Sequence, residues 1–173
     1  MYRKILFLFI FAAIVQGCGT FTSHPPAPIA APAPPASVTA PPPPHRAERS
    51  EALLQAVMAL GVDYKYGGKS PVSGFDCSGL VAHVYREAWG IALPPTVMGQ
   101  SQAGWPVKLL ELQPGDLVFY DTLKRPFSHV GIYLGDGKFV HSPRTGAQVR
   151  VESIKAAYWA QRFNGARRIE PRL

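Results

Sequence analysis

The chain has 173 residues, 47% of them hydrophobic and 17% charged, with a formal net charge of +7. That length holds one domain of ordinary size once about 45 N-terminal residues of biased composition are set aside. The basic excess gathers near the C-terminus in Arg162, Arg167, Arg168 and Arg172 and reads as a solvated surface, one able to hold an anionic polymer.

Met1 to Lys4 form a short basic start, and Ile5 to Val15 an unbroken apolar run too short to span a bilayer. Residues 1–17 therefore read as a signal peptide. The run ends in Val15-Gln16-Gly17-Cys18, which resembles a bacterial lipobox and makes Cys18 the expected lipidation site. Gly19 follows, and by resemblance to Gram-negative lipoproteins the absence of Asp there implies outer-membrane anchoring facing the periplasm. Loss of Arg3 and Lys4 with the leader lowers the charge from +7 to +5. Nucleic acid, the other usual partner of a basic protein, is set aside for an exported chain. The chain has two cysteines. With Cys18 acylated, Cys77 has no intramolecular disulfide partner, and an exported free thiol points to chemistry.

His24 to Pro44 holds ten of the eighteen prolines and no acidic residue, lysine or arginine. It cannot bury enough surface to fold and reads as a polyproline-like linker reaching roughly 60 Å at ~3.1 Å per residue, within a segment 18–45 that starts at Cys18. The folded domain is expected over 46–173. Ser50 to Leu60 has the period of an amphipathic helix, closed by Gly61. A second helix opens at Cys77 and runs to about Trp89, with Leu80, Val81, Val84 and Ala88 on the side of Cys77 and Gly90 at its end. Pro94 to Pro106 reads as a loop, and Pro114-Gly115-Asp116 as a turn into the strand Leu117 to Tyr120. His129 to Leu134 and Lys138 to Ser142 form a hairpin about Gly135-Asp136-Gly137. Later strands are expected at Val149 to Val151 and Gln161 to Ile169, with a short helix at Ile154 to Tyr158. Helices followed by strands indicate an α+β domain with an antiparallel sheet.

The chemistry rests on Cys77. A thiol in the first turn of a helix sits where orphan N–H groups and the dipole favour negative charge, so its pKa is expected to fall. A lone cysteine on an apolar face is ordinarily core. His129 and His141, distant in sequence, change that reading to a thiol hydrolase. A three-residue hairpin loop pairs Leu134 with Lys138 and sets Gly131 opposite His141. The two imidazoles then share one face as diagonal neighbours, roughly 7–8 Å apart at the backbone. Gly131 leaves space between them, Val130, Ile132 and Val140 take the other face, and the Cys77 helix is expected to meet the imidazoles. In those roles Cys77 is the nucleophile, His129 the base and His141 the group that orients it. The Cys77 N–H and the Tyr64 hydroxyl are candidate oxyanion donors.

These stretches resemble the NlpC-type family of bacterial cell-wall cysteine endopeptidases. The matching segments are Tyr64 to Gly68, Phe75 to Val81, Leu93-Pro94, Gln113 to Phe119, His129 to Gly135 and Phe139 to Ser142. The resemblance implies a circularly permuted papain-like α+β fold with N-terminal helices packed on an antiparallel sheet. It implies the same roles for Cys77, His129 and His141, with Tyr64 near the oxyanion and Asp76 and Ser78 lining the substrate groove. It further implies peptidoglycan as substrate, cleavage of stem peptides or their cross-links, and no metal or other cofactor. Pro95 stands where the family often carries Arg, which bears on the groove. A monomer is expected. The competing readings are a catalytically silent peptidoglycan-binding lipoprotein, a thiol acyltransferase on the same fold, and a zinc site built from Cys77, His129 and His141.

Overall fold

The computed structural model describes residues 46–170. The leader, Cys18, the Pro-rich segment and Arg172 lie outside the described residues. The chain order is α1 (Arg46–Met58), β1 (Lys69–Ser70), β2 (Gly74–Phe75), α2 (Cys77–Trp89), α3 (Val97–Gln100), β3 (Trp105–Val107), a 3-10 turn (Leu109–Glu111), β4 (Leu117–Tyr120), β5 (His129–Gly135), β6 (Lys138–His141), β7 (Arg150–Ser153), α4 (Ala157–Ala160) and β8 (Phe163–Arg168). β1 and β2 form a small hairpin; the other six strands form one antiparallel sheet in the order β3-β8-β4-β5-β6-β7. This is the α+β arrangement that the order of sequence patterns predicts.

Alternation along the strands divides the core in two. Leu117 and Phe119 of β4, Val130 and Ile132 of β5 and Val140 of β6 pack with Leu80, Val81 and Val84 of α2. Ala52, Ala56 and Ala59 add a stripe of small residues from α1 and the turn after it, all buried, so α1 lies close against α2. On the opposite face Val118, Tyr120, Tyr133 and Phe139 gather under Trp159 of α4. At about 25 cal/mol per Å² of apolar surface removed from water, each fully buried large side chain contributes about 2 kcal/mol.

The expected hairpin forms with a different turn. Ile132 pairs with Val140 and Tyr133 with Phe139 as the three-residue loop requires, but Gly135, not Leu134, pairs with Lys138 across an irregularity. Asp136 and Gly137, both at positive φ (51° and 70°), make the turn, as a tight hairpin connection demands. The space beside Gly131 is also filled. A Cβ there would stand 2.6 Å from Phe139 Cδ2 and 2.8 Å from the Val140 carbonyl oxygen, so the glycine admits the Phe139 ring. The segment read as a loop over 94–106 contains α3 and β3, and the β1–β2 hairpin was not anticipated. α4 begins three residues later than expected.

The C-terminal arginines are employed within the fold. Arg168 sends Nε and Nη2 to the two carboxylate oxygens of Asp116, 2.8 Å each, and Asp116 is fully buried. Arg167 donates to the Ser101 carbonyl at 2.5 Å, and Arg162 lies 4.0 Å over the Tyr158 ring. The solvated-surface reading therefore fails for these three. From α1, Arg49 donates to the Pro114 carbonyl at 3.0 Å and stands 3.9 Å from Asp116, tying the first helix to the turn before β4.

Candidate active site

Cys77 is the first residue of α2, and Asp76 is its N-cap in extended conformation (φ −88°, ψ 177°). Asp76 Oδ1 accepts from the Gly79 N–H at 2.6 Å and the Ser78 hydroxyl at 3.0 Å, while Oδ2 accepts from the Gly67 N–H at 2.9 Å. One carboxylate thus satisfies an orphan helix donor and ties the glycine-containing turn to the helix start. Gly79 lies so close to that turn that a Cβ would meet the Gly68 carbonyl oxygen at 2.0 Å. Ser142, just after β6, donates to the Phe75 carbonyl at 2.6 Å, and Gln100 of α3 donates to the carbonyls of Ser78 and Pro94, both at 3.0 Å. The backbone on each side of Cys77 is held by side chains from the sheet and from the 94–106 segment.

Cys77 as a residue is partly buried. Burial and then the neighbouring Asp76 carboxylate push the thiol up to about 11, against the N–H groups of Val130, Ser78 and Cys77 itself, which favour the thiolate. The depressed pKa expected from helix position does not materialise, because desolvation of the charged form outweighs the donors. The Val130 N–H places the sulfur one residue along β5 from His129.

His129 opens β5 and His141 closes β6. Their facing nitrogens, His129 Nε2 and His141 Nδ1, are 2.8 Å apart, with the ring planes at 88°. Both are buried. The diagonal pairing of the two imidazoles follows from the hairpin register, as anticipated. Their setting differs. They lie on the Trp159 side of the sheet, not the side on which α2 packs, because Val130, Ile132 and Val140 are the apolar set that α2 covers. Trp159 stacks on His129 (5.5 Å, 27°) and meets His141 edge-on at 5.0 Å. Burial, then the adjoining imidazole, lowers His129 to about 3, and burial lowers His141 to about 4 against the opposing pull of Glu152. Both rings are neutral at pH 7. Glu152 of β7 brings Oε1 to 3.5 Å from His141 Nε2.

Tyr64 is bridged to Phe75 and its N–H donates to the Ala147 carbonyl at 2.8 Å. Burial, then the Cys77 and Asp76 charges, raises its phenol. Two depressions adjoin these groups. One of about 450 Å³ is lined by His129, Thr122, Arg144, Arg150 and Tyr158. The other, about 180 Å³, is lined by Asp76, Ser78, Lys69, Arg86 and Pro95. A third, about 880 Å³, is lined by Trp89, Leu93 and Trp105 and does not include Cys77 in its walls. Among the described residues no three of His, Cys, Asp and Glu converge as a metal site. His129 Nε2 and His141 Nδ1 are directed at each other instead.

A thiol at a helix start, a buried imidazole pair and nearby donors are what acyl transfer requires. The model of the NlpC/P60 family matches residues 61–168. The chain belongs to the NlpC/P60 family. It is 41% identical over 121 residues to murein DD-endopeptidase MepH of Escherichia coli (strain K12), covering 68% of this chain and 45% of that one. It is 38% identical over 117 residues to gamma-DL-glutamyl hydrolase of Bacillus subtilis (strain 168), covering 67% and 28%. The chain therefore spans less than half the length of either relative. The crystal structure of the NlpC/p60 domain of peptidoglycan hydrolase SagA superposes with a TM-score of 0.62 at 31% identity, over 70% of this chain and 98% of that domain. The papain-like fold of NlpC/P60 domains is thus the fold of this chain.

Four residues around the site were not singled out in the sequence: Gln100, Ser142, Glu152 and Trp159. Ser142 adjoins His141, the nearest to a sequence signal. Glu152 and Trp159 reach the histidines only through the β6–β7 register and the α4 turn.

Proposed function

We propose that this NlpC/P60 chain is a peptidoglycan hydrolase, a thiol endopeptidase acting on stem peptides or their cross-links. The observation that carries the reading is the 2.8 Å bond between two buried imidazoles, one of them next along β5 to the N–H that meets the helix-start Cys77 sulfur. The first of those imidazoles, His129, immediately precedes the N–H group near the sulfur. The relatives named as a murein endopeptidase and a gamma-DL-glutamyl hydrolase support the substrate class.

The chemistry follows from two neutral partners. With Nε2 engaged by His141, His129 has Nδ1 to accept the thiol proton as sulfur attacks the peptide carbonyl carbon. The oxyanion is met by the Cys77 N–H and the Tyr64 hydroxyl. His129 returns the proton to the leaving amine, forming a thioester that water, activated by the same imidazole, hydrolyses to regenerate the thiol. Asp76 and Ser78 line the substrate groove, Asp76 through a carboxylate already engaged in capping. Of the two bonds, the cross-link is preferred.

Digestion of purified sacculi and of cross-linked muropeptide dimers by the full chain, with products identified by mass spectrometry, tests this. Dimers should yield monomers, and Cys77→Ala should reduce release by at least about a thousandfold while the far-UV CD spectrum is unchanged. Release by Cys77→Ala at the wild-type rate would end the thiol reading. Cleavage of free tripeptide with inertness toward dimers would end the cross-link preference alone.

We further propose that Cys18 is acylated and tethers the domain to the outer membrane through the Pro-rich segment. Cys18→Ser should leave the membrane fraction for the soluble periplasm or accumulate unprocessed. Unchanged processing and fractionation would overturn the anchor.

A further inference from the structure

The imidazole pair carries an ambiguity that its own two rings do not resolve. A single proton lies between His129 Nε2 and His141 Nδ1. If His129 supplies it, His129 Nδ1 is bare and able to accept the Cys77 proton. If His141 supplies it, His129 carries its proton on Nδ1 and has no lone pair there to act as a base. The 2.8 Å distance is the same either way, so something outside the pair must select the tautomer.

The outer nitrogen of His141 is where selection can occur. His141 Nε2 is buried and lacks a hydrogen-bond partner within normal limits. Glu152 Oε1 stands 3.5 Å from it. Glu152 is itself fixed: Arg150 Nε and Nη2 reach the same oxygen at 2.6 and 2.5 Å, and the Trp159 indole N–H donates to Oε2. Trp159 in turn stacks on His129, so the tryptophan locating the carboxylate also orients the base. The other charged or titratable neighbours are Tyr120 on β4, whose buried hydroxyl is raised by burial and then by Glu152, and Arg144 and Tyr158 lining the same depression. A carboxylate facing a bare ring nitrogen is repulsive; facing N–H it is attractive, and catalytic hydrogen bonds that are long without substrate tighten in the complex.

We propose that Glu152 is a positioning residue of this site: it holds the proton of His141 on Nε2, which obliges His141 Nδ1 to accept from His129 Nε2 and keeps His129 Nδ1 free for Cys77. The inference rests on the thiol-peptidase reading above for its catalytic consequence. The tautomer assignment itself is independent of substrate. No proton leaves the chain of rings in this arrangement. Glu152 polarises the array and stabilises the imidazolium that forms when His129 accepts the thiol proton. The role parallels that of carboxylates behind histidine ligands, whose loss costs about 10–100-fold in activity.

The test uses purified wild-type protein with Glu152→Gln and Glu152→Ala, each labelled with ¹⁵N-histidine. Ring ¹⁵N shifts at pH 7.5 should show His129 and His141 both protonated on Nε2 in the wild type and in Glu152→Gln, whose amide oxygen still accepts. In Glu152→Ala, His141 should gain Nδ1–H. On muropeptide dimers, Glu152→Gln should stay within about fivefold of wild-type kcat, while Glu152→Ala loses about 10–100-fold in kcat with KM within about threefold. The acidic limb of the rate profile should move to lower pH in both variants, since an anion that favours the imidazolium is gone. His141 protonated on Nδ1 in the wild type would overturn the proposal even if Glu152→Ala does not fold, as would a folded Glu152→Ala with unchanged tautomer and kcat. Wild-type inactivity on every peptidoglycan substrate would instead remove the peptidase reading and leave the tautomer result standing.

Discussion

On the Cys77 sulfur, burial and the Asp76 carboxylate oppose three backbone N–H groups, and the thiol rises to about 11. His129, the base proposed for it, is lowered to about 3 by burial and then by His141 and is neutral too. In the proposed mechanism the thiol and the imidazole therefore start neutral, not as a preformed ion pair, and the proton moves as a bound carbonyl draws the sulfur toward it. Alkylation of Cys77 by iodoacetamide, followed by peptide mapping, should accelerate about tenfold per pH unit from pH 7 to 9, as the thiolate fraction does below its pKa. A rate flat across that range would show the thiolate already formed. The placement of these residues was legible in the sequence, because Cys after Asp at a helix start and His at two strand ends are local patterns. The protonation state was not. It depends on desolvation by elements dozens of residues away, and helix position alone pointed in the wrong direction.

At the scale of elements, the β5–β6 hairpin brings the imidazoles together and the cap of α2 presents the thiol. Period-two alternation made the shared face of His129 and His141 readable, since a slip of one residue would have exposed Val130, Ile132 and Val140. The turn falls one residue from where the pattern places it because Gly135, Asp136 and Gly137 all accept positive φ and composition does not choose among them. The layer that covers the imidazoles is not the one the pattern suggests, for a related reason: Trp159 lies in a one-turn helix of four residues, which carries no periodic signal. Gly131 offers a test of the hairpin. Its missing Cβ would meet both the Phe139 ring at 2.6 Å and the Val140 carbonyl oxygen at 2.8 Å, and the latter is backbone that cannot rotate away. Gly131→Ala should cost about 1–3 kcal/mol, as overpacking typically does, and lower the urea midpoint. The same push acts on Phe139, whose ring lies 4.9 Å from His141, so activity should fall further than stability explains. An unaltered midpoint would show that the strands separate more easily than this packing implies.

For the whole molecule, two buried neutral imidazoles make stability depend on pH in a definite direction. His129 and His141 titrate near 3 and 4 in the folded chain, against about 6.5 when unfolded. Their contribution is complete above pH 6.5, where both states are neutral. Between pH 6.5 and 4 the unfolded chain binds protons that the folded one refuses, so stability falls with pH by up to about 1.4 kcal/mol per unit for each group. His83, lowered by burial, adds in the same direction. Glu152 acts later: its carboxyl is held below the usual range by the Trp159 indole, Arg150 and His141 despite burial, so its share is lost only as pH drops through that lower value. Urea titrations at pH 7.5 and pH 5.0 should therefore give a lower midpoint at pH 5.0. A variant carrying His129→Gln and His141→Gln should lose much of that difference, whatever its stability at pH 7.5. A wild-type midpoint that does not move between the two pH values would mean that the imidazoles accept protons in place, and the dry, mutually bonded pair described for the site would not survive that result.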